Sequence, residues 1–203
     1  MIYREDENGT VIFDGKETLR QLGITNEIDL DENTTNDASL RLENYAKYSV
    51  IAYQNGFTNE LSKKNYGDVL RNICENLLAG KGSIFHCKSG KDRTGTVAFL
   101  LLGILGVKED QISQDYELSY FCNGVSMCKK NGMVTVNSSI VTRNTYVYPG
   151  GSFGYYKEMI EYLNNQYSEY DSFTDKVVAL ANDLGISNET IEQLRALMLE
   201  DIN

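Results

Sequence analysis

Residues 83–106, "SIFHCKSGKDRTGTVAFLLLGILG", set a short apolar run, a polar loop and a longer apolar run in immediate succession. The second run, "RTGTVAFLLLGILG" (93–106), reads as a helix that is hydrophobic on nearly every face. Such a helix has to lie in the middle of a fold, because it has no face to give to water. "SIFHC" (83–87) reads as a short strand of the buried kind, covered on both sides. A buried strand feeding a buried helix through a tight polar loop points to a layered α/β architecture.

The rest of the chain fits that frame. "TVIF" (10–13) reads as a short edge strand and "KETLRQLG" (16–23) as a short helix closing on Gly23. "ITNEIDL" (24–30) is a strand entering an Asp/Asn/Thr-rich loop over 31–37. "YSVIAY" (48–53) is a second strand, followed by "NGFTNE" as a turn. Val69, Leu70, Ile73, Leu77 and Leu78 give residues 60–79 the spacing of an amphipathic helix, which "AGKG" ends. A further helix covers 108–121. Residues 122–151 read as a hairpin or lid. The C-terminal part is helical, with apolar stripes at Phe153, Tyr156, Met159, Ile160, Leu163 and Tyr167, then Val177, Leu180, Ala181 and Leu184, then Ile191, Leu194 and Met198. The expectation is one α/β domain over residues 1–203, a small and largely parallel central sheet flanked by helices.

Charge and composition exclude several function classes. A net charge of −10 argues against nucleic acid, whose phosphates need a basic footprint, and against docking on anionic membranes by bulk charge. The longest apolar run, Val97 to Leu105, falls short of the roughly 20 residues that span a bilayer. "MIYREDENGT" lacks the apolar segment of a signal peptide, so the cytoplasm is the default location, with secretion open if a leader precedes it. Four cysteines without a CxxC pattern and a single histidine do not suggest a metal site, and no cofactor is expected. Cys122 and Cys128 are either ordinary thiols or a pair formed in an oxidising compartment.

Against this acidic background the loop "HCKSGKDRTG" (86–95) concentrates Lys88, Lys91 and Arg93 around Cys87. Consecutive backbone N–H groups at a helix N-terminus cradle an anion, and Gly90 permits a backbone conformation that a side chain would forbid. The same field favours the thiolate of Cys87. Arg93 offers a planar fork that matches two phosphate oxygens. Thiolate, oxyanion cradle and fork together describe nucleophilic attack on phosphorus.

His86, Cys87, Gly90, Arg93, Thr94 and Gly95 match the HCxxGxxR(S/T)G signature of the protein tyrosine phosphatase superfamily, and the fuller loop resembles its bacterial branch of tyrosine and lipid phosphatases, which reads HCxxGKDRTG. "LGITNEIDL", "LLGILGVKEDQISQDYELS" and "LGISNETIEQLRALMLE" are similar to further segments of that branch, so the likeness covers roughly residues 17–200. The chain departs from the branch in having Asp31 where an arginine usually follows "IDL", and in lacking its "NFRDLGG"-type opening. The resemblance implies a phosphatase fold and a phosphocysteine intermediate on Cys87. It implies a phosphate clamp from Arg93 and a hydrogen bond from Thr94 to the sulfur as it leaves. Lys88, Ser89, Gly90 and Lys91 complete the phosphate-binding loop, and His86 supports its geometry.

The leaving group needs a proton donor. The stretch where much of the superfamily carries an aspartate has Gln54 and Asn55, with Glu60 the nearest acid. The resemblance implies Asp92 for the role. Asp29 and Asp31 are runners-up, each otherwise a solvated strand-end residue, and Asp115 is a candidate to hold Arg93. Lys88 and Lys91 suggest a multiply phosphorylated substrate, as in phosphoinositide phosphatases, unless one of them only solvates the rim. Phosphorylated small molecules, lipid head groups and phosphopeptides all stay open as partners. Arg93, the lysines and the backbone neutralise the phosphate without a metal. Three readings compete with a phosphatase. They are a non-catalytic phosphate-binding module, an arsenate reductase with Cys122 or Cys128 as resolving thiol, and a sulfurtransferase.

Overall fold

In the computed structural model the described residues are 13–31, 40, 42–88, 90–123, 128–130, 133–135 and 152–199. They form an α/β fold whose centre is a three-stranded parallel sheet. Strand β1 (Ile24–Asp29) lies between β2 (Asn44–Lys47) and β3 (Gly82–His86). Eight helices surround it among the described residues. Helix α1 (Phe13–Gln21) precedes β1, and Gly23 closes it at φ +72°. The expected edge strand at 10–13 lies outside the described residues except for Phe13, which opens α1.

Alternation along β1 separates two environments. Ile28 and Leu30 are fully buried in the main core, whereas Glu27, Asp29 and Asp31 point to the opposite face and are also buried. That second face carries a small apolar cluster of Leu19, Leu40, Leu42 and Ile84. A central strand with acids on a buried face is possible only where each carboxylate finds donors.

The second strand is not at 48–53 as expected but just before it. Tyr48 N–H donates to the Asp29 carbonyl at 2.8 Å, and beyond this bond the chain leaves the sheet. Side chains take over its backbone groups. Asn65 donates to the Ser49 carbonyl, Tyr66 to the Ile51 carbonyl, and the N–H of Ile51 donates to Ser62 Oγ. The apolar residues of "YSVIAY" therefore fill the core rather than a sheet: Val50 and Tyr53 are both buried. The expected turn at 55–60 is a short helix, α2 (Gln54–Thr58), with Phe57 packed against Tyr66 and Tyr162.

Helix α3 (Glu60–Leu78) starts at Asn59, whose side chain accepts from Ser62 N–H, and buries Tyr66, Val69, Leu70, Ile73 and Cys74 along one face. Helix α4 (Asp92–Ile104) is the central one, buried at Thr94, at Thr96 through Leu100 and again at Gly103 and Ile104. Helix α5 (Glu109–Asn123) follows. Cys128–Lys130 (β4) and Met133–Thr135 (β5) pair antiparallel, while the rest of 124–151 lies outside the described residues. Helices α6 (Ser152–Gln166), α7 (Phe173–Asp183) and α8 (Asn188–Met198) form the C-terminal part. Their stripes at Tyr156, Met159, Leu163, Tyr167, Val177, Leu180, Ala181, Leu184, Ile191 and Leu194 are buried as expected. Met198 is not: it is half exposed in the last turn of α8, where the helix ends. The Phe153 side chain lies outside the described residues, as do those of Cys122 and Cys128. No helix among the described residues is long and apolar enough to cross a membrane.

One close backbone approach fixes α3 against the turn before α8. A Cβ on Gly67 would strike the carbonyl oxygen of Leu184, a backbone atom that cannot swing aside. Gly67→Ala is expected to lower the unfolding free energy by about 1–3 kcal/mol despite its better helix propensity. A urea titration of the two proteins measures this, and an unchanged midpoint would contradict the close fit.

Candidate active site

The loop between β3 and α4 is held from the sheet side. Leu30 N–H donates to the His86 carbonyl at 2.8 Å, extending the β1–β3 ladder to the last residue of the strand. Cys87 follows directly, half-buried and packed against the main core. Gly90 has φ +62°, a left-handed value that strains any side-chain-bearing residue, so the turn needs glycine there. Ser89 lies outside the described residues. Helix α4 begins at Asp92, and Lys91, at its N-cap, gives no side-chain cap. The N–H groups of such a first turn are anion donors.

The side chains around Cys87 are tied down one by one. The Arg93 guanidinium donates to Asp31 Oδ1 at 2.8 Å, and Asp31 is buried just past the end of β1. His86 Nε2 lies 3.0 Å from Glu27 Oε1, and Glu27, fully buried, also accepts from the backbone N–H groups of Leu40 and Leu42. Asp92 accepts a short hydrogen bond from the Tyr53 hydroxyl, which lies 2.5 Å from the Tyr116 hydroxyl. Burial pushes the Tyr53 phenol well up, and Tyr116 and Asp92 push it further, so it stays a protonated donor. Thr96 accepts from Tyr53 N–H and donates to the Asp92 carbonyl. Thr94 Oγ1 is buried with no hydrogen-bond partner among the described residues.

Lys88 is exposed and Lys91 half-buried; burial pushes the Lys91 ammonium down, with Asp92 opposing that shift. Tyr66 is fully buried in the main core. Its hydroxyl donates to the Ile51 carbonyl, and burial pushes its phenol up, with Cys87 adding to the shift while Thr96 and Arg93 oppose it.

Several expectations change. Asp29 and Asp31 are not solvated turn residues. Asp29 accepts from the Tyr45 hydroxyl, the Lys47 ammonium and Asp31 N–H, while Asp31 is engaged with Arg93. The partner of Arg93 is thus Asp31 and not Asp115, which is exposed on α5. Gln54 and Asn55 open α2, where Gln54 donates to Glu158, and Glu60 is exposed in the first turn of α3. Sequence reasoning missed Glu27, Tyr53 and Tyr116. For Glu27 a signal was present: "NEIDLD" puts three acids at alternate positions with Ile28 and Leu30 between them.

The two described free thiols differ sharply in setting. Burial, helped by Glu75, pushes the Cys74 thiol up to about 11, whereas Cys87 is half-buried in the loop before the N-terminus of α4. Iodoacetamide at neutral pH is expected to modify Cys87 in the native protein and spare Cys74, with inorganic phosphate slowing the first reaction. Peptide mass spectrometry of briefly treated protein checks this. Equal labelling of both, or no protection by phosphate, would contradict it.

Comparison with known proteins agrees with the loop. A protein of Cupriavidus necator named "Putative tyrosine-protein phosphatase" is 43% identical over 51 residues, which cover 25% of this chain and 19% of that relative. The chain thus matches about a fifth of the relative's length. The model of the Tyrosine phosphatase family matches residues 1–200. With that match running over nearly the whole chain, and a parallel sheet delivering Cys87 and Arg93 to one helix N-terminus, the chain belongs to the tyrosine phosphatase family.

Proposed function

We propose that this protein hydrolyses phosphate monoesters through a phosphocysteine on Cys87. The observation that carries the reading is the Asp31–Arg93 ion pair, which holds a guanidinium at the first turn of α4 beside the cysteine. Backbone N–H groups of the loop and Arg93 bind the three non-bridging phosphate oxygens, and this charge complementarity strengthens as the reaction spreads negative charge over them. Cys87 Sγ attacks phosphorus in line. As the S–P bond forms, the bond to the ester oxygen breaks and Asp92 delivers its proton to that oxygen. In the second step a water attacks phosphorus and gives its proton to the Asp92 carboxylate. The S–P electrons return to sulfur, where the Thr94 hydroxyl, otherwise unpartnered, donates to the departing thiolate. His86, held by Glu27, keeps the start of the loop in place.

Lys88 and Lys91 favour a substrate with more than one phosphate, a phosphoinositide or soluble inositol phosphate, over a phosphotyrosine peptide. A lysine at the rim is a flexible point charge suited to a second phosphate at variable distance. The lowered Lys91 supports a role inside the site rather than in bulk water.

The test is phosphate release from phosphoinositides, inositol polyphosphates and phosphotyrosine peptides, with Cys87→Ser as the blank. The expected result is release fastest from the inositol compounds, abolished in Cys87→Ser. In Lys88→Ala and Lys91→Ala, kcat/KM for these substrates should fall about tenfold each, and less for peptides. Faster turnover of peptides, insensitive to both lysines, would make this a protein tyrosine phosphatase. Silence on all three by folded protein would favour a phosphate-binding module. A Cys87–Cys122 or Cys87–Cys128 disulfide formed during arsenate reduction would favour the thiol chemistry instead.

A further inference from the structure

Tyr53 is the one described residue other than glycine with a positive φ. At φ 63° and ψ −158° it occupies a region of backbone space that is essentially reserved for glycine. A tyrosine held there is strained and persists only where its surroundings over-determine it. Two of its hydrogen bonds lead to Asp92. The backbone N–H of Tyr53 donates to Thr96 Oγ1 at 3.0 Å, and the Thr96 hydroxyl donates to the Asp92 carbonyl at 2.9 Å. The phenol of the same residue donates to Asp92 Oδ1. Tyr53 therefore grips one aspartate twice, through its main chain and through its side chain.

The outer end of the grip is buttressed as well. The Tyr116 hydroxyl is 2.5 Å from that of Tyr53, and since the Tyr53 proton is directed to Asp92, Tyr116 is the donor of this bond. The Tyr116 ring stacks on Tyr156 of α6 at 5.0 Å, and meets Tyr53 edge-on. A Cβ on Gly95 would press on the Tyr116 ring at 3.2 Å, so the glycine of "RTG" makes room for this ring at the first turn of α4. The residue before α2, with Tyr116 of α5 and Tyr156 of α6 behind it, thus braces the residue that opens α4.

We infer that Tyr53 is the positioning residue for Asp92, its phenol occupying Oδ1 so that Oδ2 is the oxygen that carries the proton to the leaving group. This rests on the reading of Asp92 as the general acid. A carboxyl group free to rotate would present either oxygen at varying distance, and proton transfer depends steeply on that geometry. With Oδ1 held, the acid delivers its proton from Oδ2 to the ester oxygen as the P–O bond breaks. The carboxylate that remains keeps the Tyr53 hydrogen bond and takes the proton of the attacking water in the second step. The strained backbone of residue 53 sets the phenol's direction, a task a relaxed residue at the same position would perform with a different trajectory.

The test compares kcat/KM for phenyl phosphate, whose leaving group needs a proton, with that for para-nitrophenyl phosphate, whose leaving group does not, in the wild type, Tyr53→Phe and Asp92→Asn. Asp92→Asn is expected to lose about a hundredfold on phenyl phosphate and far less on the nitrophenyl ester. Tyr53→Phe should show the same selectivity at smaller size, about tenfold on phenyl phosphate and under about twofold on the nitrophenyl ester. Equal losses on both esters in Tyr53→Phe, with Asp92→Asn still selective, would overturn the inference and leave the Asp92 reading standing. A non-selective Asp92→Asn would remove Asp92 as the acid and the inference with it. If Tyr53→Phe fails to fold, Tyr116→Phe leaves residue 53 in place and carries the same comparison, and an unselective loss there overturns the inference.

Discussion

Three carboxylates on one buried face of β1 organise everything that matters around the cysteine. Strand geometry sends Glu27, Asp29 and Asp31 to the same side, and burying an unpaired carboxylate is costly enough that each must find a partner. Glu27 takes His86 and two backbone N–H groups, Asp29 takes Tyr45, Lys47 and the turn that follows it, and Asp31 takes Arg93. Two of these partners, His86 and Arg93, bracket the loop that carries Cys87. The central strand and the residue just past it therefore fix both ends of the loop with hydrogen bonds to carboxylates.

The opposite end of the loop's chemistry is fixed by aromatic residues. Tyr53 and Tyr116 hold Asp92, and Tyr66, fully buried, donates to the Ile51 carbonyl in the segment that leads to Tyr53. The main core continues directly into these phenols, since Tyr53, Tyr66, Tyr116 and Tyr156 are all members of it. Packing and catalytic geometry are consequently hard to separate. A change that loosens α5 or α6 against α4 also moves the hydroxyls that hold Asp92. On the proposed reading, anion binding needs little rearrangement, because the Arg93 guanidinium, the α4 N-terminus and Asp92 are already held by protein partners.

Much of this was legible in the residues, for reasons that can be stated. The central helix was readable because "VAFLLLGIL" leaves no polar face, and the loop because "HCKSGKDRTG" confines a thiol, a glycine and cations to a few positions. The strand at 48–53 was misread because its apolar, β-branched content suits a sheet equally well as a core-lining coil. What decides is where its N–H and C=O groups go, and they go to Ser62, Tyr66, Asn65 and Thr96. Those partners lie far along the chain, so no local pattern announces them. Asp31 was visible as a departure from the family's arginine, but its role as the counter-ion of Arg93 needed the strand and the helix to be brought together. The Tyr53 clamp was hidden for a different cause: a tyrosine gives no sign in sequence that its backbone will adopt a glycine-like conformation.

The central claim is that the loop anchored by this strand makes Cys87 a nucleophile toward phosphorus. Rapid mixing with an aryl phosphate, acid quenching within the first turnover and mass spectrometry of the Cys87 peptide test it most directly. The account predicts one phosphoryl group per chain on Cys87, appearing together with a burst of released phenol and decaying at the steady-state rate. Turnover that proceeds with no phosphoryl group ever found on Cys87, or that survives in Cys87→Ser, would contradict it.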